Sequence, residues 1–415
     1  MSRSGKLFTA MFFIMASAAG ASAAEPDAPL PRILEELPKP NPIVRIVCFG
    51  DSLTGVYYHT GGRRAYADMI GIGLARIQPH ARIEMHNAGI SGDTTRGALK
   101  RIDRDVLAHK PHLVTVMFGM NDMVGVPIDE YKQNLREIVA RCRQSRAEVM
   151  LCTSNSVQST DGRPPERLEK YMAALRETGL ALGVPIADCY AAFEKARTAD
   201  PANWALLLSD EIHPNMDGHK LLAETIVQAM GNQSVSLKDV PPPQPAIPQT
   251  LKLLESNTPI KVHATPPFDQ LIGPALEKIH PGAKVEVTTW NVDRMTIGQL
   301  EESAKAIRPA KPDLVIVAVP PSALGGDRFA RSLSWVFNYS LSFGHQEWDC
   351  IAIPPSVAHP DLPTEQKDWD KLVRRMIFAQ DLSGVDRKPG DTRSSAQLLE
   401  EWLQSQIDSA VAPRK

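Results

Sequence analysis

From residue 44 to residue 231 short apolar runs alternate with longer amphipathic ones, and this alternation constrains the fold more than any other feature. Residues 44–49 read as a strand, followed by a helical pattern over 65–77. Residues 82–86, 113–118, 148–153 and the short 186–188 are the next strands, with helices expected over 94–107, 128–143, 167–182 and 218–230. Strands separated by helices of about 10–15 residues make βαβ units, hence a parallel sheet covered on both faces. The expected fold class is α/β, a flavodoxin-like doubly wound sheet with its switch point beside the first strand.

Strand ends of such a sheet project into one crevice, so the polar residues that terminate the strands carry the chemistry. The first ends in Gly50-Asp51-Ser52-Leu53-Thr54, the second in Asn87-Ala88-Gly89-Ile90-Ser91-Gly92-Asp93-Thr94-Thr95, the third in Gly119-Met120-Asn121-Asp122. A serine at a strand end has a free hydroxyl beside backbone N–H groups, which suits a nucleophile that needs an oxyanion hole. Gly89 lets backbone approach a ligand closely, and the Asn121 amide is a donor. With the Ser52 N–H they supply three donors for a tetrahedral oxyanion. Asp210 and His213 lie in Leu208-Ser209-Asp210-Glu211-Ile212-His213-Pro214, before the closing helix. One turn brings that carboxylate to the imidazole, where it would hold the tautomer of a base acting on Ser52. Asp51 and Asp122 read as turn-holding residues, and Asp93 and Thr94 as caps of the next helix.

These four segments, in this order, resemble the motif blocks of the GDSL/SGNH hydrolase family: Gly50-Asp51-Ser52-Leu53, then Gly89, then Gly119-Met120-Asn121-Asp122, then Asp210-Glu211-Ile212-His213. The resemblance covers about residues 44–231. It implies a nucleophile at Ser52, oxyanion donors at Ser52, Gly89 and Asn121, and a triad completed by Asp210 and His213. Residues 87–95 and 109–122 resemble the acyl-esterase branch. No Gly-x-Ser-x-Gly elbow is present, which argues against the α/β-hydrolase fold. Tyr57 and Trp204 are candidate substrate contacts, Tyr57 in the loop after the nucleophile and Trp204 just before Asp210.

The N-terminus sets a compartment. A basic start at Arg3 and Lys6, a short apolar run from Leu7 and small residues before Glu25 describe a secretory signal peptide over residues 1–24, hence a secreted or periplasmic protein. The run is shorter than the roughly 20 residues a spanning helix needs, and no integral membrane segment is expected. A formal net charge of −2 with interspersed signs excludes the electrostatic footprint of a nucleic-acid binder. Of five cysteines, Cys48, Cys152 and Cys189 sit in or beside apolar strand-like runs as small hydrophobes, so this is no disulfide scaffold. No Cys or His cluster has metal-ligand spacing; His109 and His112 read as solvated, and neither metal nor cofactor is expected.

The remaining chain divides into an extended segment over 25–43, the hydrolase-like domain over 44–232, a Pro-rich linker over 233–257 and a second α/β domain over 258–410. The second half echoes the first: strands at 259–264, 284–287, 312–317 and 350–353, helices at 268–279, 297–307 and 396–407. Thr265-Pro266-Pro267 replaces Gly50-Asp51-Ser52, Asn291 falls near the place of Gly89, and Pro320-Pro321-Ser322 replaces Gly119-Met120-Asn121. It resembles a degenerate domain of the same type, without the catalytic motifs. Five of the six tryptophans (Trp290, Trp335, Trp348, Trp369, Trp402) lie in this half and read as core and interface residues.

The reading that joins these features is an exported serine esterase acting on small acyl esters, O-acetyl groups on carbohydrate among them. Its partner would be a small ester or acylated carbohydrate. A lysophospholipase or thioesterase is the near alternative. An alternative of another class is a glycan-binding protein whose second domain binds and whose first is secondary.

Overall fold

The computed structural model describes residues 30–411; the expected signal peptide lies outside them. Five strands, β1 (Ile43–Gly50), β2 (Arg82–Gly89), β3 (Leu113–Met117), β4 (Glu148–Cys152) and β5 (Ile186–Ala187), form a parallel sheet in the order β2-β1-β3-β4-β5. The chain leaves β1 toward β2 and returns across it to β3, so the switch point falls beside β1. β1 and β3 are mainly apolar along their buried lengths, buried Thr115 apart, because helices cover both faces. Tyr66–Ile77 packs with Met216–Gly231, while Thr95–Asp105, Ile128–Gln144 and Pro165–Leu182 pack side by side.

Two close approaches set the mouth of the crevice. A Cβ on Gly50 would stand 2.0 Å from Thr54 Oγ1, and one on Gly89 would stand 2.2 Å from the backbone nitrogen of Gly55. Only glycine lets the ends of β1 and β2 come so close to the turn after Ser52. Buried Arg101 then ties both ends together, donating to Gly50 O (2.8 Å) and Ala88 O (2.7 Å) while pairing with Asp93 Oδ2 (2.7 Å). That pairing explains why Asp93 does not cap Thr95–Asp105 as expected: Thr94 is the N-cap and makes no side-chain bond.

A second parallel sheet, in the order β7-β6-β8-β9, comprises β6 (Ile260–Ala264), β7 (Val285–Thr289), β8 (Leu314–Ala318) and β9 (Asp349–Ile353). Thr265, which opens the Thr265-Pro266-Pro267 turn in the place of Gly50-Asp51-Ser52, is wholly buried and its Oγ accepts from the Ala318 N–H (2.8 Å). The Pro-rich linker is pinned to the first domain. Arg63 donates to the carbonyls of Pro243 and Pro245, Arg64 to that of Pro241, and the helix Pro248–Glu255 follows. Residues 25–43 are likewise not all extended: Pro31–Glu36 is a helix that buries Ile33 in the first core.

The two domains share packing as well as chain. Tyr58, from the loop after Ser52, is 8% exposed and belongs to the core of the second domain with Phe337, Leu341 and Leu382. Burial of a large apolar ring stabilises by roughly 2–3 kcal/mol. All five cysteines are buried and unpaired, and none of the five tryptophans of the second half is exposed. No described helix is long and apolar enough to cross a membrane.

Fully buried His219 carries a pH dependence. Its Nδ1 accepts from the Tyr66 N–H (2.9 Å), and burial pushes the imidazole down to about 3. Unfolded chains take up this proton below about pH 6.5, whereas the folded chain resists it until about 3. Stability is therefore full above pH 6.5 and falls as pH drops toward 3, because the unfolded state binds more protons in that window. His219→Asn, which keeps an acceptor for Tyr66, should lessen the fall in Tm between pH 6.5 and about 4. An unchanged slope would place the acid sensitivity elsewhere.

Candidate active site

The turn after β1 places Ser52, 5% exposed, with its Oγ 2.9 Å from Nε2 of His213. On the far side of the ring, His213 Nδ1 lies 2.8 Å from Asp210 Oδ2. The loop carrying that pair is closed by the Leu208–Pro214 bridge and by the Ser209 N–H donating to His213 O (2.8 Å). Asp210 Oδ1 accepts from the backbone of Ile212 (2.9 Å) and His213 (2.8 Å), which is the local reason a spacing of three brings the two side chains together. Burial raises the Asp210 carboxyl, but the charge and hydrogen bond of His213 outweigh it and hold the group well below the usual carboxylate range. An ionised Asp210 accepts from Nδ1–H, leaving Nε2 to accept from the Ser52 hydroxyl.

The three expected oxyanion donors differ in readiness. The Ser52 N–H has no protein acceptor among the described residues. The Gly89 N–H donates to Asn87 Oδ1 (3.0 Å), and Asn121 Nδ2 donates to Asp93 O (3.0 Å) and Asp51 Oδ2 (3.2 Å). An oxyanion must therefore draw two donors away from internal acceptors, the longest and weakest of these bonds being that to Asp51. Burial pushes the Asp51 carboxyl up to about 7, so that acceptor loses its charge near neutral pH. Asp51 also accepts from the Leu53 N–H (2.9 Å), and Asp122 from the N–H and hydroxyl of Thr95, each bracing its own loop. Arg163 fixes the Asn121 amide by donating to Oδ1 (2.9 Å).

Trp204 is corrected from substrate contact to core residue. Asp200 caps the short helix Pro201–Ala205 and the indole turns inward, 8% exposed, with Nε1 donating to Ser156 Oγ (3.1 Å). Tyr57 is half-buried, its hydroxyl accepting from the Ser91 N–H (2.7 Å) just past Gly89. The ring of Phe343, 55% exposed and borne on the second domain, stands 5.7 Å from that of Tyr57. His112 is not solvated as expected, since its Nδ1 accepts from the Arg45 N–H (3.0 Å), while His109 stacks on His86.

Three residues beside Ser52, His213 and Asp210 carry no motif. His59, 2% exposed, stacks on the His213 ring at 3.9 Å and 14°, and burial holds its own imidazole well below the ordinary value. The Tyr58 hydroxyl donates to Asp210 Oδ2 (3.4 Å). Asn155 donates to Ile212 O (2.9 Å), steadying the loop from beneath. The order Tyr57-Tyr58-His59 soon after Ser52 was the only sequence signal for the first two.

His59, Asp210 and His213 offer donor atoms within 4.8 Å of one another. Both nitrogens of His213 are engaged, and lone pairs of near-parallel stacked rings do not converge on one ion. The donor set is built for proton transfer, not coordination.

Residues 48–221 match the model of the GDSL-like Lipase/Acylhydrolase family. Over 178 residues the chain is 29% identical to an acetylxylan esterase of Geobacillus stearothermophilus, covering 40% of this chain and 80% of that one. It is 25% identical over 186 residues to thioesterase 1/protease 1/lysophospholipase L1 of Escherichia coli (strain K12), covering 45% and 82%. The crystal structure of Axe2, an acetylxylan esterase from Geobacillus stearothermophilus, aligns with 47% of this chain and 97% of its own at 26% identity and a TM-score of 0.40. The first domain is thus similar to the GDSL-like lipases and acylhydrolases, and these homologues support a serine ester hydrolase.

Proposed function

We propose that the protein is an exported esterase that removes small acyl groups, O-acetyl groups on carbohydrate included, through an acyl-enzyme on Ser52. The observation that carries this reading is the continuous chain Ser52 Oγ, His213, Asp210 with bonds of 2.9 and 2.8 Å. Ser52 Oγ attacks the ester carbonyl as His213 Nε2 takes its proton, and the carbonyl oxygen becomes an oxyanion facing the N–H groups of Ser52 and Gly89 and the Asn121 amide. As the tetrahedral species collapses, His213 returns the proton to the leaving alcohol. Water, deprotonated by the same imidazole, then releases the acid and restores Ser52. Export rests on the N-terminal pattern of residues 1–24.

The carbohydrate reading draws support from the acetylxylan esterase relative and from the exposed Phe343 ring beside Tyr57. An aromatic face beside the nucleophile suits the C–H face of a sugar ring. Lipid or thioester hydrolysis is the second reading, favoured by exposed Ile90 and Val124, which follow the Gly89 and Asn121 donors.

The mature chain should hydrolyse p-nitrophenyl acetate, and Ser52→Ala should lose at least about 10⁴-fold in kcat. Activity that survives in the variant would remove Ser52 from the chemistry. A series of p-nitrophenyl esters separates the two substrate readings: activity falling with chain length supports the first, activity rising with it the second. Asn121→Ala should lower kcat by about 10²–10³-fold with little change in KM; a KM effect alone would make Asn121 a ground-state contact. Phe343→Ala should raise KM for acetylated xylo-oligosaccharides by about three- to tenfold while leaving p-nitrophenyl acetate untouched. Equal effects on both substrates would remove Phe343 as a sugar platform.

A further inference from the structure

A closed amide network joins the two domains and ends on the residue before Asp210. Asn338 stands on the second-domain helix Phe329–Ser340, and Gln380 is the C-cap of Lys367–Ala379. Both are buried, as is Ser209. Asn338 Nδ2 donates to Ser209 O (2.9 Å), and the Ser209 hydroxyl donates back to Asn338 Oδ1 (2.8 Å). Gln380 Nε2 donates to the same Oδ1 (2.8 Å) and to the carbonyl of Tyr58 (2.7 Å). Two amides of the second domain thus grip both loops that converge on the Asp210 carboxylate: the 208–214 loop through Ser209, and the 57–62 loop through Tyr58.

The neighbouring contacts stiffen that grip. Asp381, next to Gln380, pairs bidentately with Arg64 (2.8 and 2.6 Å). Arg308 lies over the Tyr58 ring at 4.6 Å and donates to Asn338 O (2.6 Å) and Leu341 O (3.0 Å). The Gln346 N–H donates to Gly62 O (3.1 Å).

We propose that Asn338 and Gln380 are positioning residues for ester hydrolysis, through which the second domain holds Asp210, His213 and His59 in register with Ser52. This rests on the Ser52–His213–Asp210 reading above. Three facts favour it over simple adhesion between domains. The network is buried and mutually satisfied, whereas adhesion needs only apolar contact. Its target, Ser209, is the residue whose N–H closes the catalytic loop on His213. And the alignment to the acetylxylan esterase covers only 40% of this chain, while Asn338 and Gln380 both lie in the second domain. Reaction geometry is sensitive at this scale: a misplacement of about 1 Å costs on the order of 100-fold in rate.

The test uses the full chain and p-nitrophenyl acetate. Asn338→Leu, near in shape but unable to bond, should lower kcat by about 10–100-fold and leave KM within about twofold. Gln380→Met should do the same more weakly, and gives a second route where Asn338→Leu folds poorly. Arg375→Ala removes another interdomain bond, to Asn203 Oδ1 (2.6 Å), which touches neither Ser209 nor Tyr58, and should leave kcat unchanged. Proton NMR supplies an independent readout, because the His213 Nδ1–H resonance should broaden or vanish in Asn338→Leu and persist in Arg375→Ala. Unchanged kcat in folded Asn338→Leu and Gln380→Met would overturn the proposal. So would losses matched by Arg375→Ala, which would make the network a hinge for docking alone. If Ser52→Ala retained activity, the catalytic reading would fail first, and the two failures are distinguishable.

Discussion

A carboxylate buried as Asp210 is does not stay charged on its own, and the catalytic arrangement depends on how that charge is held. Burying an unpaired ion costs several kcal/mol, so every oxygen lone pair of Asp210 must find a donor. The backbone of Ile212 and His213, the His213 ring and the Tyr58 hydroxyl provide them. Those donors come from two loops, and the second domain bonds one at Ser209 and the other at Tyr58. Electrostatics at one carboxylate and packing between two domains are therefore a single problem in this molecule.

The other half of the site is set by backbone proximity. Gly50 and Gly89 let the ends of β1 and β2 close on the turn that carries Ser52, and Arg101 takes up the carbonyls that this crowding brings together. Ser52 is thus fixed to rigid strand ends and His213 to a braced loop. Chemistry at such a junction profits from both, since strands fix one partner while the loop carries the other across the crevice.

What was legible in the sequence follows from what is local. Strand and helix positions around the sheet rest on short-range periodicity, and the helix Phe268–Ile279 has the bounds its pattern implies. Ser52, Asp210 and His213 stood out because each ends a recognisable block, and the structure brings them within hydrogen-bond reach. Trp204 was misjudged because nearness in sequence to Asp210 says nothing of which way an indole turns. The contacts of the Pro-rich segment are invisible to local pattern because its partners, Arg63 and Arg64, lie about 180 residues away in the chain. Asn338 and Gln380 were silent for the same reason. A lone amide acquires meaning only from the residue it meets, and here that residue belongs to the other domain.

The most direct test of the account is covalent. Treating the folded chain with a fluorophosphonate and mapping the modified peptide should find one label per chain, on Ser52, with the rate of labelling sharply reduced in His213→Ala. A label on another residue, or none on a chain that unfolds cooperatively, would contradict the assignment of Ser52 as a nucleophile activated by the buried His213–Asp210 pair.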